Sequence, residues 1–290
     1  SIFFFFFYLL CVNNLINRNI NYRIIHINAF CFFLLFFIIQ ILVNYIFLIY
    51  FFLDSKESII PNDNSDVPEI DNPEIIEKPL IVIDPGHGPY VNNEMEPIAP
   101  GSTQMKRKYG VGTVGNYTGT MEREVNLNVA MMLKELLEDN GYRVIMTRLD
   151  HETILSNIDR VNIANDNNAD LMIRIHSDSS VNPDVHGASM LVPGDVGYAS
   201  DIVDISNEYG KIILDTLVSE VGMSNRGVIT RTDQTGFNWS KIPIMTVEMG
   251  FMSNPDEDQL LSTTEYQEKL ANALYLGIDR CFSESNTINE

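Results

Sequence analysis

The sequence predicts an α/β fold with a mostly parallel, twisted sheet and helices on both of its faces. From residue 79 onward, short apolar runs alternate with longer stretches in which apolar side chains recur at helical spacing. Turn residues close the apolar runs, as Pro85 and Gly86 close the run at residues 80–84 (LIVID). Because strands that alternate with helices normally pair in parallel, twist, and are covered on both faces, one domain is expected over residues 79–290.

Six runs are predicted as strands and four stretches as helices. The strands are expected at residues 80–84, 142–147, 169–175, 188–192, 227–230 and 243–247. The helices are expected at residues 122–139, 155–168, 201–221 and 264–281. The first helix has an apolar stripe formed by Val125, Val129, Met132, Leu133, Leu136 and Leu137. Thr120 is its expected N-cap, and Gly141 is expected to end it.

The region before this domain has a different composition. Residues 1–53 contain only Arg18 and Arg23 as charged residues, and the run 29–53 contains none. As a helix this run would be about 38 Å long at ~1.5 Å per residue, enough to cross a hydrocarbon core of about 30 Å. We therefore expect a membrane anchor at residues 29–53, with the basic residues before it in the cytoplasm and the C-terminal domain outside. Residues 54–78 are rich in acidic residues and contain three prolines, which predicts an extended linker.

The charge and the cysteines exclude two classes of function. Only 17 Lys and Arg accompany all 39 Asp and Glu after residue 53, so this part of the chain is strongly acidic. A domain of this charge repels phosphate backbones, which argues against nucleic acid as a partner. The three cysteines contain no Cys-x-x-Cys spacing, so neither a disulfide framework nor a cysteine metal site is expected.

Two histidines follow predicted strands. His87 comes just after the first strand and His176 just after the third. Ligands of such sheets bind at the carboxyl ends of the strands, and neutral imidazole is a common zinc ligand, so the two histidines could share a metal. His186 lies in a loop ten residues later and is a less favoured ligand, while His151 sits in a polar turn and is expected to be solvated.

Two glutamates are candidates for the remaining roles. Glu122 lies in the first turn of the first helix and could be the third ligand, although Glu124 is a close rival on the residues alone. Glu248 follows the apolar strand 243–247, and a carboxylate there could serve as the base that a metal hydrolase needs. The alternative for Glu248 is a buried salt bridge to Arg174 or Arg148.

Five stretches in order make the chain resemble the zinc-dependent N-acetylmuramoyl-L-alanine amidases of the amidase-3 family. They are Ile81–Gly88 (IVIDPGHG), Glu122–Ala130 (EREVNLNVA), Gly141–Arg148 (GYRVIMTR), Asp170–Asp178 (DLMIRIHSD) and Pro243–Asn254 (PIMTVEMGFMSN). The resemblance covers residues 79–283 and implies Zn²⁺ ligands at His87, Glu122 and His176, with Glu248 as the catalytic glutamate. It also favours Glu122 over Glu124, because the family's glutamate stands eight residues before an alanine, as Glu122 stands before Ala130.

The resemblance implies a peptidoglycan hydrolase that cuts between the lactyl group of N-acetylmuramic acid and L-alanine of the stem peptide. With the membrane anchor, this implies a cell-membrane protein whose catalytic domain faces the wall. The alternatives are a wall-binding module without catalysis and a zinc carboxypeptidase that cuts the stem peptide itself. The chain departs from many family members in the length of the segment between His87 and Glu122, which contains a basic, glycine-rich stretch at residues 105–119. Lys106, Arg107 and Lys108 in this stretch are expected to contact carboxylates of the stem peptide or wall phosphates.

Overall fold

Six strands form the central sheet. They are β1 (Leu80–Pro85), β4 (Arg143–Met146), β5 (Leu171–Asp178), β6 (Ala188–Pro193), β7 (Asn225–Arg231) and β8 (Ile244–Phe251), in the spatial order β4-β1-β5-β8-β6-β7. Every neighbouring pair is parallel except β6 and β8, which are antiparallel. The prediction of a mostly parallel α/β sheet is confirmed, and each of the six predicted strands is present.

Two apolar cores lie on opposite faces of this sheet, because successive residues of a strand point to opposite faces. The larger core joins Ile81 and Ile83 of β1 to three helices: α1 (Glu122–Asp139), α3 (Val203–Val221) and α6 (Thr264–Asn286). The smaller core joins Leu80 and Val82 to α2 (Asn157–Asp166) and the short helix α4 (Thr235–Asn238). Helices therefore cover both faces, as the sequence predicted.

The computed structural model describes residues 77–286. The expected hydrophobic region 1–53, its membrane anchor at 29–53 and nearly all of the linker 54–78 lie outside the described residues. None of the helices within residues 77–286 is both long and apolar enough to cross a membrane.

The ends of several elements differ from the sequence expectation. Helix α1 begins at Glu122 as expected, but its N-cap position is Met121, which has no side-chain cap hydrogen bond, so the prediction of Thr120 as N-cap is wrong. Asn140 follows the helix, and Gly141 then takes a φ of +83°, which confirms it as the residue that turns the chain away. Strands β5 and β8 run past their predicted ends. His176 and Glu248 therefore lie within the second half of these strands and not in the loops after them.

A hairpin and two short α-helices, one of them α4 (Thr235–Asn238), were not predicted. Strands β2 (Asn92–Pro97) and β3 (Met105–Tyr109) form an antiparallel hairpin, and α5 (Pro255–Leu261) follows β8. The hairpin strands read NNEMEP and MKRKY and so lack the apolar alternation of a strand that packs on a core. The hairpin is held instead by polar contacts, since buried Glu96 accepts hydrogen bonds from Asn157 and Ile158 at the start of α2.

Candidate metal centre and active site

His87 stands at the exit of β1 in an unusual backbone conformation. Its φ is +69°, a left-handed value that few residues other than glycine adopt. The preceding Gly86 donates its N–H to the carbonyl of Ile175 at 2.9 Å and lies against the ring of His176. A Cβ atom on Gly86 would lie 2.3 Å from two atoms of that ring, so only glycine allows the two strand ends to come this close.

Glu122 connects the two histidines. Its side chain is buried, and its Oε1 lies 2.7 Å from His87 Nε2 and 3.2 Å from His176 Nδ1. Its Oε2 accepts the backbone N–H of Thr113 at 2.9 Å, while the N–H of Glu122 bonds back to the Thr113 carbonyl. The structure therefore brings together all three side chains that the sequence proposed as ligands: one potential ligand atom from each lies within 4.8 Å of the others.

The charge states of these groups suit a divalent metal such as zinc. Burial alone would raise the pKa of Glu122, but the hydrogen bonds and charges of His176 and His87 hold it well below its usual range. Burial lowers the pKa of His176 to about 4, with a further lowering from the His87 charge. At neutral pH the cluster therefore offers an ionised carboxylate and a neutral imidazole, the forms in which these side chains bind metals. The residues present fit a zinc ion.

Glu248 lies beside this cluster. It is the direct partner of His176 in the pairing of β5 with β8, and its side chain is partly accessible. Its pKa is raised well above the usual value, first because desolvation disfavours the carboxylate and then because Glu122 and Asp178 repel it. Within residues 77–286 the carboxylate accepts no hydrogen bond and forms no ion pair. It is therefore available to take up a proton.

The salt bridges expected as the alternative role of Glu248 do not form. The Nε of Arg174 donates to Asp84 Oδ2 at 2.9 Å instead. The guanidinium of Arg148 donates to backbone carbonyls, among them those of Pro85 and Gly86. Both arginines thus bond to residues at the end of β1, and neither pairs with Glu248.

The rival residues lie outside the cluster. Glu124, two residues along α1, contributes nothing to the group of potential ligands formed by His87, Glu122 and His176. His186 is exposed, and its Nδ1 lies 2.9 Å from the carbonyl of Asp184 in its own loop. His151 is likewise absent from the group.

The substrate contacts expected of the basic stretch stay a prediction, but two of its side chains lie beside carboxylates of the domain itself. Lys106 contacts the loop after β7, where its Nζ lies 3.7 Å from Asp233 Oδ2, and Lys108 pairs with Glu94 across the hairpin at 2.7 Å. Two of the three charges are therefore used within the domain. Arg107 alone is exposed and forms no ion pair with any residue that the structure describes.

Two supporting residues were missed by the sequence argument. Asn126, one helical turn after Glu122, donates to Oε1 at 3.2 Å, and the N–H of Ser177 donates to the same oxygen at 3.2 Å. Asn126 is fully buried, and a polar residue four positions after a candidate ligand was the signal that the sequence offered. Together with Thr113, these groups fix the orientation of the Glu122 carboxylate.

Comparisons with known proteins agree with the fold. Residues 81–280 match the family Amidase_3, described as N-acetylmuramoyl-L-alanine amidase. N-acetylmuramoyl-L-alanine amidase AmiA of Salmonella typhimurium is 26% identical over 239 residues, which cover 69% of this chain and 75% of AmiA.

Two solved structures have the same fold. The amidase Ami1 of Mycobacterium abscessus superposes with a TM-score of 0.66 at 24% identity, over 71% of this chain and 100% of that one. The N-acetylmuramoyl-L-alanine amidase of Clostridium difficile 630 superposes with a TM-score of 0.59 at 25% identity, over 71% of this chain and 98% of that one. With a family match that spans most of the chain, the protein belongs to the amidase-3 family of N-acetylmuramoyl-L-alanine amidases.

Proposed function

We propose that this chain hydrolyses the amide bond between the lactyl group of N-acetylmuramic acid and L-alanine of the stem peptide, with a zinc ion held by His87, Glu122 and His176. The observation that carries the proposal is the convergence of these three side chains within 4.8 Å, with Glu248 directly opposite His176 in the sheet. Three protein ligands that leave a position open are typical of catalytic zinc sites, whereas structural sites use four.

Glu248 is the proposed proton carrier. Bound zinc would supply Lewis-acid chemistry, polarising the amide carbonyl and making water more acidic. Glu248 accepts the proton of the attacking water and then donates it to the departing nitrogen of L-alanine. The water oxygen bonds to the carbonyl carbon and the carbon–nitrogen bond breaks, so the products are a lactyl carboxylate on the sugar and a stem peptide with a free amino terminus. The position of Glu248 supports this role, because it is the direct partner of His176 in the sheet and forms no ion pair within residues 77–286.

The rest of the chain suggests where this reaction takes place. Residues 29–53 form an uncharged run long enough to cross a bilayer, and residues 54–78 form an acidic, proline-containing spacer. We propose that these segments tether the domain to the outer face of the cell membrane, where it meets peptidoglycan. The excess of arginine on the N-terminal side of the run supports this orientation.

Digestion of purified peptidoglycan tests the reaction. The purified protein should release intact stem peptides that begin with free L-alanine and should leave lactyl groups on the glycan, as identified by mass. A chelator should stop the release, and added zinc should restore it.

Two results would contradict the proposal. Release of single amino acids from the C-terminus of the stem would indicate a carboxypeptidase. Binding to sedimented wall with no released product, even with zinc present, would indicate a binding module.

A further inference from the structure

Arg148 is a buried arginine that pairs with no carboxylate among residues 77–286. It follows β4 and is 3% exposed. Its Nε donates to the carbonyl of Pro85 at 2.9 Å and its Nη1 to that of Asp150 at 3.0 Å. Its Nη2 donates to two carbonyls at once, those of Gly86 and Arg123, both at 2.9 Å. All four partners are backbone oxygens, so this side chain holds segments of the main chain in place.

Three of these four carbonyls belong to residues close in sequence to two of the proposed metal ligands. Pro85 and Gly86 immediately precede His87 on the strand exit, and Arg123 immediately follows Glu122 at the start of α1. One nitrogen, Nη2, therefore connects the segment that carries one ligand to the segment that carries another. The two segments are 35 residues apart in sequence, and the hairpin and its loops lie between them.

The backbone at His87 needs such support. A φ of +69° is unfavourable for a residue with a Cβ atom and persists where the surroundings determine it. On the far side of His87, the Nη2 of Arg160 donates to its carbonyl at 2.7 Å. Arg148 holds Pro85 and Gly86 before the histidine, and Arg160 holds the carbonyls of Pro85 and of the histidine itself.

We propose that Arg148 is a positioning residue that sets the spacing between His87 and Glu122 for the metal. The inference rests on the proposed zinc site. A guanidinium is planar and offers five N–H donors in a fixed arrangement, whereas a lysine ammonium is a single point with three. Lysine at this position keeps the charge but cannot reach the carbonyls of Gly86, Arg123, Pro85 and Asp150 together.

The expected effect is on metal affinity. Groups that orient metal ligands typically change affinity by about 10- to 100-fold when they are altered. Arg148→Lys should therefore bind zinc about 10- to 100-fold more weakly than the parent. The rise in melting temperature on adding zinc should shrink, because that rise depends on metal affinity and not on the stability of the metal-free protein.

The experiment uses the full chain in detergent, with zinc affinity measured by competition with a chromogenic chelator. Arg143→Lys is the matched control, because Arg143 lies on β4, has a 55% exposed side chain and pairs with Glu77. Leu217→Ala controls for stability alone, since Leu217 is fully buried in α3 and belongs to the larger core. A cobalt absorption spectrum of each variant reports the ligand geometry directly.

A loss of zinc affinity of at least 10-fold in Arg148→Lys, with both controls near the parent and an altered cobalt spectrum, supports the proposal. Parent-like affinity in a folded Arg148→Lys overturns it, as does a loss no larger than that of Leu217→Ala. Arg148→Gln serves as the second variant if the lysine variant does not fold, and failure of both to fold would make Arg148 a requirement of the whole fold and overturn the narrower role. A parent that binds no zinc would instead refute the proposed function, before any variant is compared.

Discussion

Glu248→Gln tests the proposed proton carrier. Glutamine has nearly the same shape as glutamate but cannot accept a proton, and Glu248 has no hydrogen bond or ion pair within the described part of the chain that the change would break. The side chain of His176, the partner of Glu248 in the sheet, contacts Glu122, and no side-chain hydrogen bond joins it to Glu248. The substitution should therefore remove one chemical function and leave the zinc site in place.

The expected magnitude follows from this environment. A positioned acid–base group is worth about 10²–10⁴ in rate, so the activation free energy should rise by about 3–5 kcal/mol. Zinc content should remain at one ion per chain. The side chain of Glu248 forms no hydrogen bond or ion pair within residues 77–286, so the substitution should leave the melting temperature close to that of the parent.

Turnover on purified peptidoglycan, zinc content and thermal melting should be measured on one preparation. Glu208→Gln, the same change at an exposed position of α3, is the matched control and should behave as the parent does. A Glu248→Gln protein that is folded, holds its zinc and still turns over near the parent rate would refute the assignment. Loss of zinc would instead make Glu248 a ligand.

Three further predictions follow from other contacts. Glu122→Gln should lose zinc while Glu124→Gln keeps it, because only Glu122 meets the two histidines; equal zinc in both variants, by metal analysis, would contradict the ligand set. Asp84→Asn should destabilise the fold by about 3–5 kcal/mol, because it leaves two buried arginines without a carboxylate. The arginine charges outweigh burial and hold the pKa of Asp84 well below its usual range, so the stabilisation from the Asp84 carboxylate is present above about pH 4 and is lost as the pH falls further. In urea unfolding, the difference in free energy of unfolding between the parent and Asp84→Asn should be smaller at pH 3 than at pH 7. The same difference at both pH values would contradict this prediction. Arg107→Ser should raise KM more at low salt than at high salt, because the side chain is exposed and screened contacts weaken; an unchanged KM at low salt would leave this arginine without a role in substrate binding.

Part of the proposed site could be predicted from the sequence because of a property of parallel sheets. The carboxyl ends of β1, β5 and β8 lie along one edge, so His87, His176 and Glu248, each near the end of a predicted strand, had to be neighbours if the strands were adjacent. The choice of Glu122 over Glu124 could not be made this way, since both lie in the first turn of α1. It depends on the direction in which that turn faces the histidines.

The ion-pair partners of the charged residues around the site could not be predicted from the sequence. The residues alone allowed Arg174 or Arg148 to pair with Glu248, but Arg174 instead meets Asp84, its direct partner in the pairing of β1 with β5. This ion pair joins residues 90 positions apart in the sequence. It depends on the register between β1 and β5, which cannot be predicted from the local sequence of either strand. The free state of Glu248, on which the proposed chemistry depends, follows from this choice.

The sequence by itself determined the alternation of strands and helices, the apolar faces of both and three of the candidate site residues, His87, His176 and Glu248. These features depend on periodicity and residue type, which are local properties. Only the tertiary structure decided that β6 runs antiparallel to β8, that residues 92–109 form a hairpin and that Arg148 joins the segments carrying His87 and Glu122. Each of these features depends on hydrogen bonds between residues far apart in the chain. Buried donors and acceptors must find partners, and the packing of the cores determines which groups lie close enough to pair.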